Sequence, residues 1–326
     1  MIVVTGATGH VGNVLIRKLL ENEDEVRAFT LHSEDLKPIK GLDVEIVQGD
    51  VRDFNSLVSA FNGAETVYHL AGIISIMPDK DGLLYQVNVE GTRNVVNACL
   101  KTGVGRLIYT SSVHALKEPP KGVIIDENCG FEPQYSRGGY DETKALASLE
   151  VLKGVQKGLE AVIVCPSGII GPHDYNISQM GTLFLNYVNG GMKAYLDGAY
   201  DFVDVRDVAE GLILANNHGK SGEIYILSGE RIEVHDLMLY LEKITGVKAP
   251  SFKAPLWLLK AFCKFTPLYY RFAKNKPLFT GYSIEVLNSN SDISFKKAQN
   301  ELGFSPHPIK ESIKDSVEWF KENNYV

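Results

Sequence analysis

Positive charge is in short supply in this chain. Its 33 Lys and Arg residues stand against 40 Asp and Glu, giving a formal net charge of −7. A surface that grips a polyanion needs the opposite balance, so nucleic acid and an anionic membrane are excluded as principal partners. Cysteine is scarce too. Cys99, Cys129, Cys165 and Cys263 are scattered, with no metal-ligand spacing among them. They read as small buried hydrophobes rather than metal ligands or disulfide halves, and no metal site is expected. No apolar run approaches the length of a membrane span. The first strand-like run begins at residue 2, which leaves no room for a leader, so a soluble cytoplasmic protein is predicted. What remains is ample apolar material: 44% of 326 residues are hydrophobic, enough for one large α/β domain or two smaller ones.

Glycine is placed with purpose at the start. Ile2, Val3 and Val4 form a short strand-like run, then Gly6, Gly9 and Gly12 follow at three-residue spacing. Val14, Leu15, Ile16, Leu19 and Leu20 come next with helical periodicity. Strand, glycine turn and helix in that order suit a pyrophosphate. Glycines admit close backbone approach, and the helix start offers free N–H groups and the positive end of its dipole.

The same alternation continues along the chain. Strands are predicted at 25–30, 44–47, 66–70, 106–110 and 223–227, with helices from Asn88, Tyr140 and His235. Strands alternating with helices imply right-handed crossovers and a parallel sheet covered on both faces. In dinucleotide sites the second strand ends on an acid that holds the adenosine ribose, or on a base that accommodates a 2′-phosphate. Here Thr30, Leu31, His32 and Ser33 follow instead. The missing carboxylate, with His32 and Ser33 as donors, favours NADP(H) over NAD(H). Asp50, just past the third strand, is placed to accept from the adenine amino group, and the Asp53 region to cap a helix. Ala71 and Gly72 close the fourth strand and let ribose and phosphates lie against the backbone. His69, inside that strand, reads as a buried core histidine.

Residues 140–144 are Tyr-Asp-Glu-Thr-Lys, at the opening of a helix. Tyr140 and Lys144 lie four apart and so share a helical face. A tyrosine of ordinary pKa near 10 is a poor base at neutral pH, and an adjacent ammonium would lower that value. The phenol could then exchange a proton with a carbonyl or alcohol oxygen. Ser112, 28 residues earlier at the end of the fifth strand, could hydrogen-bond the same oxygen.

These pieces together resemble the extended short-chain dehydrogenase/reductases, the NAD-dependent epimerase/dehydratase superfamily. The resemblance is carried by Thr5 to Gly12, Gly49-Asp50-Val51, His69 to Gly72, Asn88 to Thr92 and Tyr109-Thr110-Ser111-Ser112. It continues through Tyr140 with Lys144, Pro166 to Pro172, and Phe202 to Ala209. It implies a Rossmann-type doubly wound parallel sheet with a smaller, discontinuous C-terminal substrate domain. The dinucleotide-binding part would comprise 1–172 plus 202–227, and the substrate-binding part 173–201 plus 228–326. It implies Ser112, Tyr140 and Lys144 as catalytic residues. Gly6, Thr8, Gly9, His10, Val11, Gly12, His32, Asp50, Val51, Ala71, Gly72, Thr110, Tyr140, Lys144, Pro166, Gly168 and Ile169 would contact the cofactor. Asn88 would support the fold, and a homodimer would form through the helices starting near Asn88 and Tyr140, with Leu146, Leu149 and Leu152 as candidates.

The substrate side is less defined. Residues 173–200, rich in Gly, Asn and Tyr, suit a pocket wall. Pro255 to Ala273 is aromatic and basic, is broken by Pro267, and is expected to line a hydrophobic pocket. Sugar-nucleotide enzymes of this superfamily often carry Arg-Asp-Phe where this chain has Tyr200-Asp201-Phe202, so a bidentate phosphate clamp is missing there. That points to the dihydroflavonol-reductase-like and 3β-hydroxysteroid-dehydrogenase-like branch. The expected function is reduction of a ketone or aldehyde, or oxidation of the alcohol, on a small and partly hydrophobic substrate. The alternatives are a sugar-nucleotide epimerase or dehydratase using NAD, and a dinucleotide sensor without catalysis.

Overall fold

The computed structural model describes residues 1–75, 81–255 and 285–326. Strands β1 (Ile2–Thr5), β2 (Val26–Thr30), β3 (Glu45–Gln48), β4 (Thr66–His69), β5 (Arg106–Thr110) and β6 (Ala161–Pro166) lie in one parallel sheet, with β10 (Ile224–Leu227) at its edge. The spatial order is β3-β2-β1-β4-β5-β6-β10. The order reverses between β1 and β4, and the crevice beyond the carboxyl ends of the strands at such a reversal is where open α/β sheets take ligands.

Two apolar layers cover the sheet. On one face Phe61 of α2 (Phe54–Phe61), Val95 of α4 (Gly91–Thr102) and Val151 of α5 (Gly139–Gln156) pack with Leu107 and Ile163. On the other, Leu15 and Leu19 of α1 (His10–Glu21) meet Val208 and Leu212 of α7 (Val205–His218), over Val4, Ile108 and Val164. Strand residues buried on both sides explain why these strands read as continuous apolar runs rather than alternating ones.

A short α3 (Leu83–Tyr85) leads through a π-helical turn, Gln86–Glu90, into α4. The helix expected to begin at Asn88 therefore begins five residues earlier, and Asn88 sits in the π turn. Asp53 caps α2 as expected, its side chain accepting from the Asn55 amide.

A second sheet, β11-β9-β7, forms from β7 (Gly168–Ile170), β9 (Ala199–Asp204) and β11 (Glu230–Glu233), and β8 (Ala194–Tyr195) pairs with β12 (Phe252–Lys253). With α6 (Gln179–Val188), α8 (Val234–Thr245) and α10 (Ile309–Glu322), the second sheet encloses a separate core around Phe184, Phe202, Leu237 and Phe320. One part of the expected division needs correction. Helix α9 (Lys296–Leu302) does not join this smaller lobe: Ala298, Leu302 and Phe304 pack in the layer of α1 and α7. Their apolar side chains find the main sheet's own covering layer, so 228–326 is not wholly substrate-side. The aromatic stretch 256–273 lies outside the described residues. No helix among the described residues is long and apolar enough to cross a membrane.

Candidate active site

The glycine turn is held by backbone geometry that only glycine tolerates. Gly6 has φ +69°, and a Cβ there would stand 2.7 Å from the Ala71 amide nitrogen. A Cβ on Gly12 would stand 2.1 Å from the Gly6 carbonyl oxygen, so this glycine lets α1 close onto the turn. Above the turn lies a cleft of about 410 Å³. Gly6, Thr8, Gly9, Asp50, Val51, Ala71 and Gly72 line it. His10 and Val11 begin α1; the His10 ring nitrogen Nε2 is turned to the Pro172 carbonyl at 2.9 Å. Bare backbone beside a helix start, in a cleft of this volume, fits the adenosine-diphosphate half of a nicotinamide dinucleotide.

The far end of this cleft departs from the sequence reading. His32 is exposed and does not line the cleft. Glu34 does. After β2 the chain turns back on itself, with the Glu34 amide donating to the Leu31 carbonyl at 3.2 Å. That turn returns the carboxylate to the glycine loop, where it accepts from the Thr8 hydroxyl at 2.8 Å. A reading confined to the residues directly after the strand passes over Glu34, because the reverse turn, not sequence position, brings it there. Asp50 is held by Arg52, whose guanidinium donates at 3.0 and 2.5 Å and keeps the carboxyl below its usual range.

Behind the turn, buried polar groups fix its position. Thr92 donates to the Asn88 carbonyl at 2.6 Å, so His69 Nε2–H donates to Thr92 at 3.0 Å. Nδ1 is then left to accept from Thr5 at 2.8 Å. Burial holds this imidazole neutral, its pKa pushed down to about 3. His69 thus belongs to the core. The Ala71 amide donates to the Thr5 hydroxyl, tying the carboxyl end of β4 to the same hydrogen-bond chain.

The Ser-Tyr-Lys group lies at the end of β5. Thr110 ends the strand, and Ser112 caps the turn Val113–Ala115, its hydroxyl oxygen accepting from the His114 amide at 3.2 Å. The Tyr140 phenol stands in the first turn of α5, where Ser112 acts to lower its pKa. Burial outweighs that effect and raises the Tyr140 pKa. Lys144, buried one turn on, directs Nζ to the Thr110 carbonyl at 2.5 Å and over the Tyr109 ring at 4.7 Å. Burial lowers its pKa to about 8. This corrects the expected electrostatics: burial sets the direction of the Tyr140 shift, and the Lys144 ammonium is answered by the Thr110 carbonyl.

Asn88 connects the cleft to this group. Its Oδ1 accepts from the Ile73 amide at 2.8 Å, while Nδ2 donates to the Ile73 carbonyl and, at 3.1 Å, to Thr143 beside Lys144. Ile73 lines the cleft. Pro166, Gly168 and Ile169 stand at the end of β6 and in β7, outside the adenosine side. Gly168 is required by packing, since a Cβ there would stand 2.8 Å from the Phe202 ring.

The model of the NAD dependent epimerase/dehydratase family matches residues 2–228. The chain belongs to that family. The enzyme is an NAD(P)-dependent short-chain dehydrogenase/reductase of the extended type. It is 35% identical to sterol demethylase protein B of Methylococcus capsulatus over 325 residues, covering 99% of each chain. It is 34% identical to a putative dihydroflavonol 4-reductase of Synechocystis, covering 99% of this chain and 95% of the relative. Among solved structures, that of gox2253 superposes with a TM-score of 0.87 at 34% identity, covering 99% of this chain and 98% of that one.

Proposed function

We propose that the enzyme interconverts a ketone or aldehyde and the matching alcohol on a small, partly hydrophobic substrate. Tyr140 would be the proton donor and acceptor, Ser112 the hydrogen-bond donor to the substrate oxygen, and Lys144 the cation one helical turn away. The observation that carries this reading is Lys144, one turn after Tyr140 on α5, bonded to the Thr110 carbonyl two residues before Ser112, with Asn88 linking this group to the dinucleotide cleft through Thr143. Burial keeps the phenol protonated, the form needed to give a proton to an oxygen that gains charge during carbonyl reduction. The phenolate left behind is then the charge that Lys144 can stabilise. A bound nicotinamide supplies the hydride acceptor or donor.

The substrate class is supported from two sides. Tyr200 stacks on Phe202 at 5.2 Å where a sugar-nucleotide enzyme often has an arginine, so this position is aromatic rather than cationic. A relative named as a dihydroflavonol reductase agrees with a ring-containing carbonyl substrate. On the cofactor, the sequence favours NADP(H) because no carboxylate directly follows β2. Glu34 removes that ground: a carboxylate in the cleft repels a 2′-phosphate, and Arg52, the nearby cation, is engaged by Asp50. We therefore assign NAD(H) as the preferred cofactor.

The test is Tyr140→Phe, assayed by nicotinamide absorbance against a panel of ketones and aldehydes, with cofactor binding measured in parallel. The expected result is retained binding and loss of turnover. Undiminished turnover would refute the mechanism. Turnover only of UDP- or dTDP-sugars by the wild type would favour the epimerase or dehydratase reading.

A further inference from the structure

One wall of the dinucleotide cleft comes from the opposite side of the molecule. Among the described residues that line it, Asn176 alone lies beyond Val87. It sits on a strap, 171–178, between β7 and α6. The strap is fastened on both sides. His10 meets the Pro172 carbonyl at 2.9 Å, and Asn13 of α1 donates to the His173 carbonyl at 3.2 Å. On the other side the rings of His173 and Tyr175 lie 5.9 and 5.0 Å from Trp319 of α10. Buried Asp174 accepts from the Ser178 amide at 2.9 Å.

Two residues flanking Asn176 hold left-handed backbone, His173 at φ +67° and Ile177 at φ +47°. For a β-branched isoleucine this is an unfavourable conformation, kept only where surrounding contacts enforce it. The enforced geometry delivers the Asn176 amide to the glycine turn, where Nδ2 donates to the Thr8 carbonyl at 3.0 Å. An amide nitrogen carries two hydrogens. Among the described residues one of them answers Thr8, and the other is free to serve a ligand in the cleft.

We propose that Asn176 is a cofactor-binding residue, its second amide hydrogen donated to the diphosphate of the dinucleotide. This rests on the NAD(P) binding of the family. It places a contact to the phosphates on a strap anchored in the smaller lobe, so that cofactor binding and the packing of α10 are mechanically joined.

The test uses NADH fluorescence and calorimetry with ADP-ribose on wild type, Asn176→Ala and Asn176→Asp, with the melting temperature of each free protein measured alongside. Loss of one hydrogen bond to a charged group predicts about a tenfold higher Kd for Asn176→Ala. The factor should be the same for NADH and ADP-ribose, which share the diphosphate. Asn176→Asp, facing the diphosphate with a carboxylate, should lose at least about tenfold more, an excess that shrinks at high salt. Equal losses in the two variants, tracking their melting temperatures, would mean that Asn176 only fastens the strap, and would overturn the proposal. A wild-type Kd in Asn176→Ala would overturn it as well. If wild type binds neither NADH nor ADP-ribose, the dinucleotide reading itself fails, a result separate from either.

Discussion

Lys144 should cost the enzyme stability at neutral pH. Its ammonium is buried, and its pKa falls from the ordinary 10.5 to about 8. At about 1.4 kcal/mol per tenfold, that fall is a penalty of about 3 kcal/mol at pH 7. The same group donates to the Thr110 carbonyl, a bond worth about 1.5 kcal/mol. Lys144→Met keeps the apolar stem, removes the charge and loses the bond. The variant should therefore be inactive yet more stable at pH 7 by about 1.5 kcal/mol, a rise of roughly 2 °C in melting temperature for a chain of this size. The sign reverses with pH. The unfolded chain keeps its proton at Lys144 up to about 10.5, whereas the folded one releases it near 8, so wild-type stability rises through that window. By pH 10 little of the penalty remains, and the wild type, with its bond to Thr110 intact, should be the more stable of the two. Urea melts of both proteins at pH 7 and pH 10 read this directly. A variant less stable than wild type by the same amount at both values would refute a buried, desolvated ammonium.

Gly12→Ala should destabilise the protein by about 2–3 kcal/mol and abolish NADH binding, because its Cβ would meet the Gly6 carbonyl, a backbone atom that cannot move aside; urea melts and NADH fluorescence check both. Glu34→Gln should shift the preference toward NADPH by about tenfold, as expected for one charge near a 2′-phosphate, with thermal-shift titrations of both cofactors as the readout. His69 stays neutral when folded, its pKa near 3 against an ordinary 6.5. The stability it contributes is present above pH 6.5 and is lost as pH falls toward 3. His69→Gln should therefore flatten the acid limb of the stability curve by roughly one proton, and an unchanged limb would deny the buried neutral imidazole.

The local signals in this chain were strong because each is enforced by neighbours in sequence. The order of strand, three glycines and helix at residues 1–20 fixes a tight glycine turn by backbone sterics alone. The four-residue spacing of Tyr140 and Lys144 fixes their shared helical face. Alternating apolar strands and helices are compatible with a parallel sheet because such strands must be covered on both sides. His69 was legible as a core residue from the apolar strand around it, and Asp53 as a helix cap.

What the sequence left open depends on groups that meet only when the chain closes. Glu34 reaches the cleft because a reverse turn after β2 folds it back onto Thr8. Asn176 crosses from the smaller lobe to the glycine turn, 168 residues away along the chain. The spacing of Tyr140 and Lys144 gave no measure of desolvation, yet burial raises the Tyr140 pKa and lowers that of Lys144, and the ammonium meets the Thr110 carbonyl. Helix α9 joins the main sheet's cover rather than the substrate side, a choice made by where Ala298, Leu302 and Phe304 find apolar partners. Residue order specified the elements and the chemical types of the site. Burial, and contacts between residues far apart in the chain, decided their charge states and which side chains line the cleft.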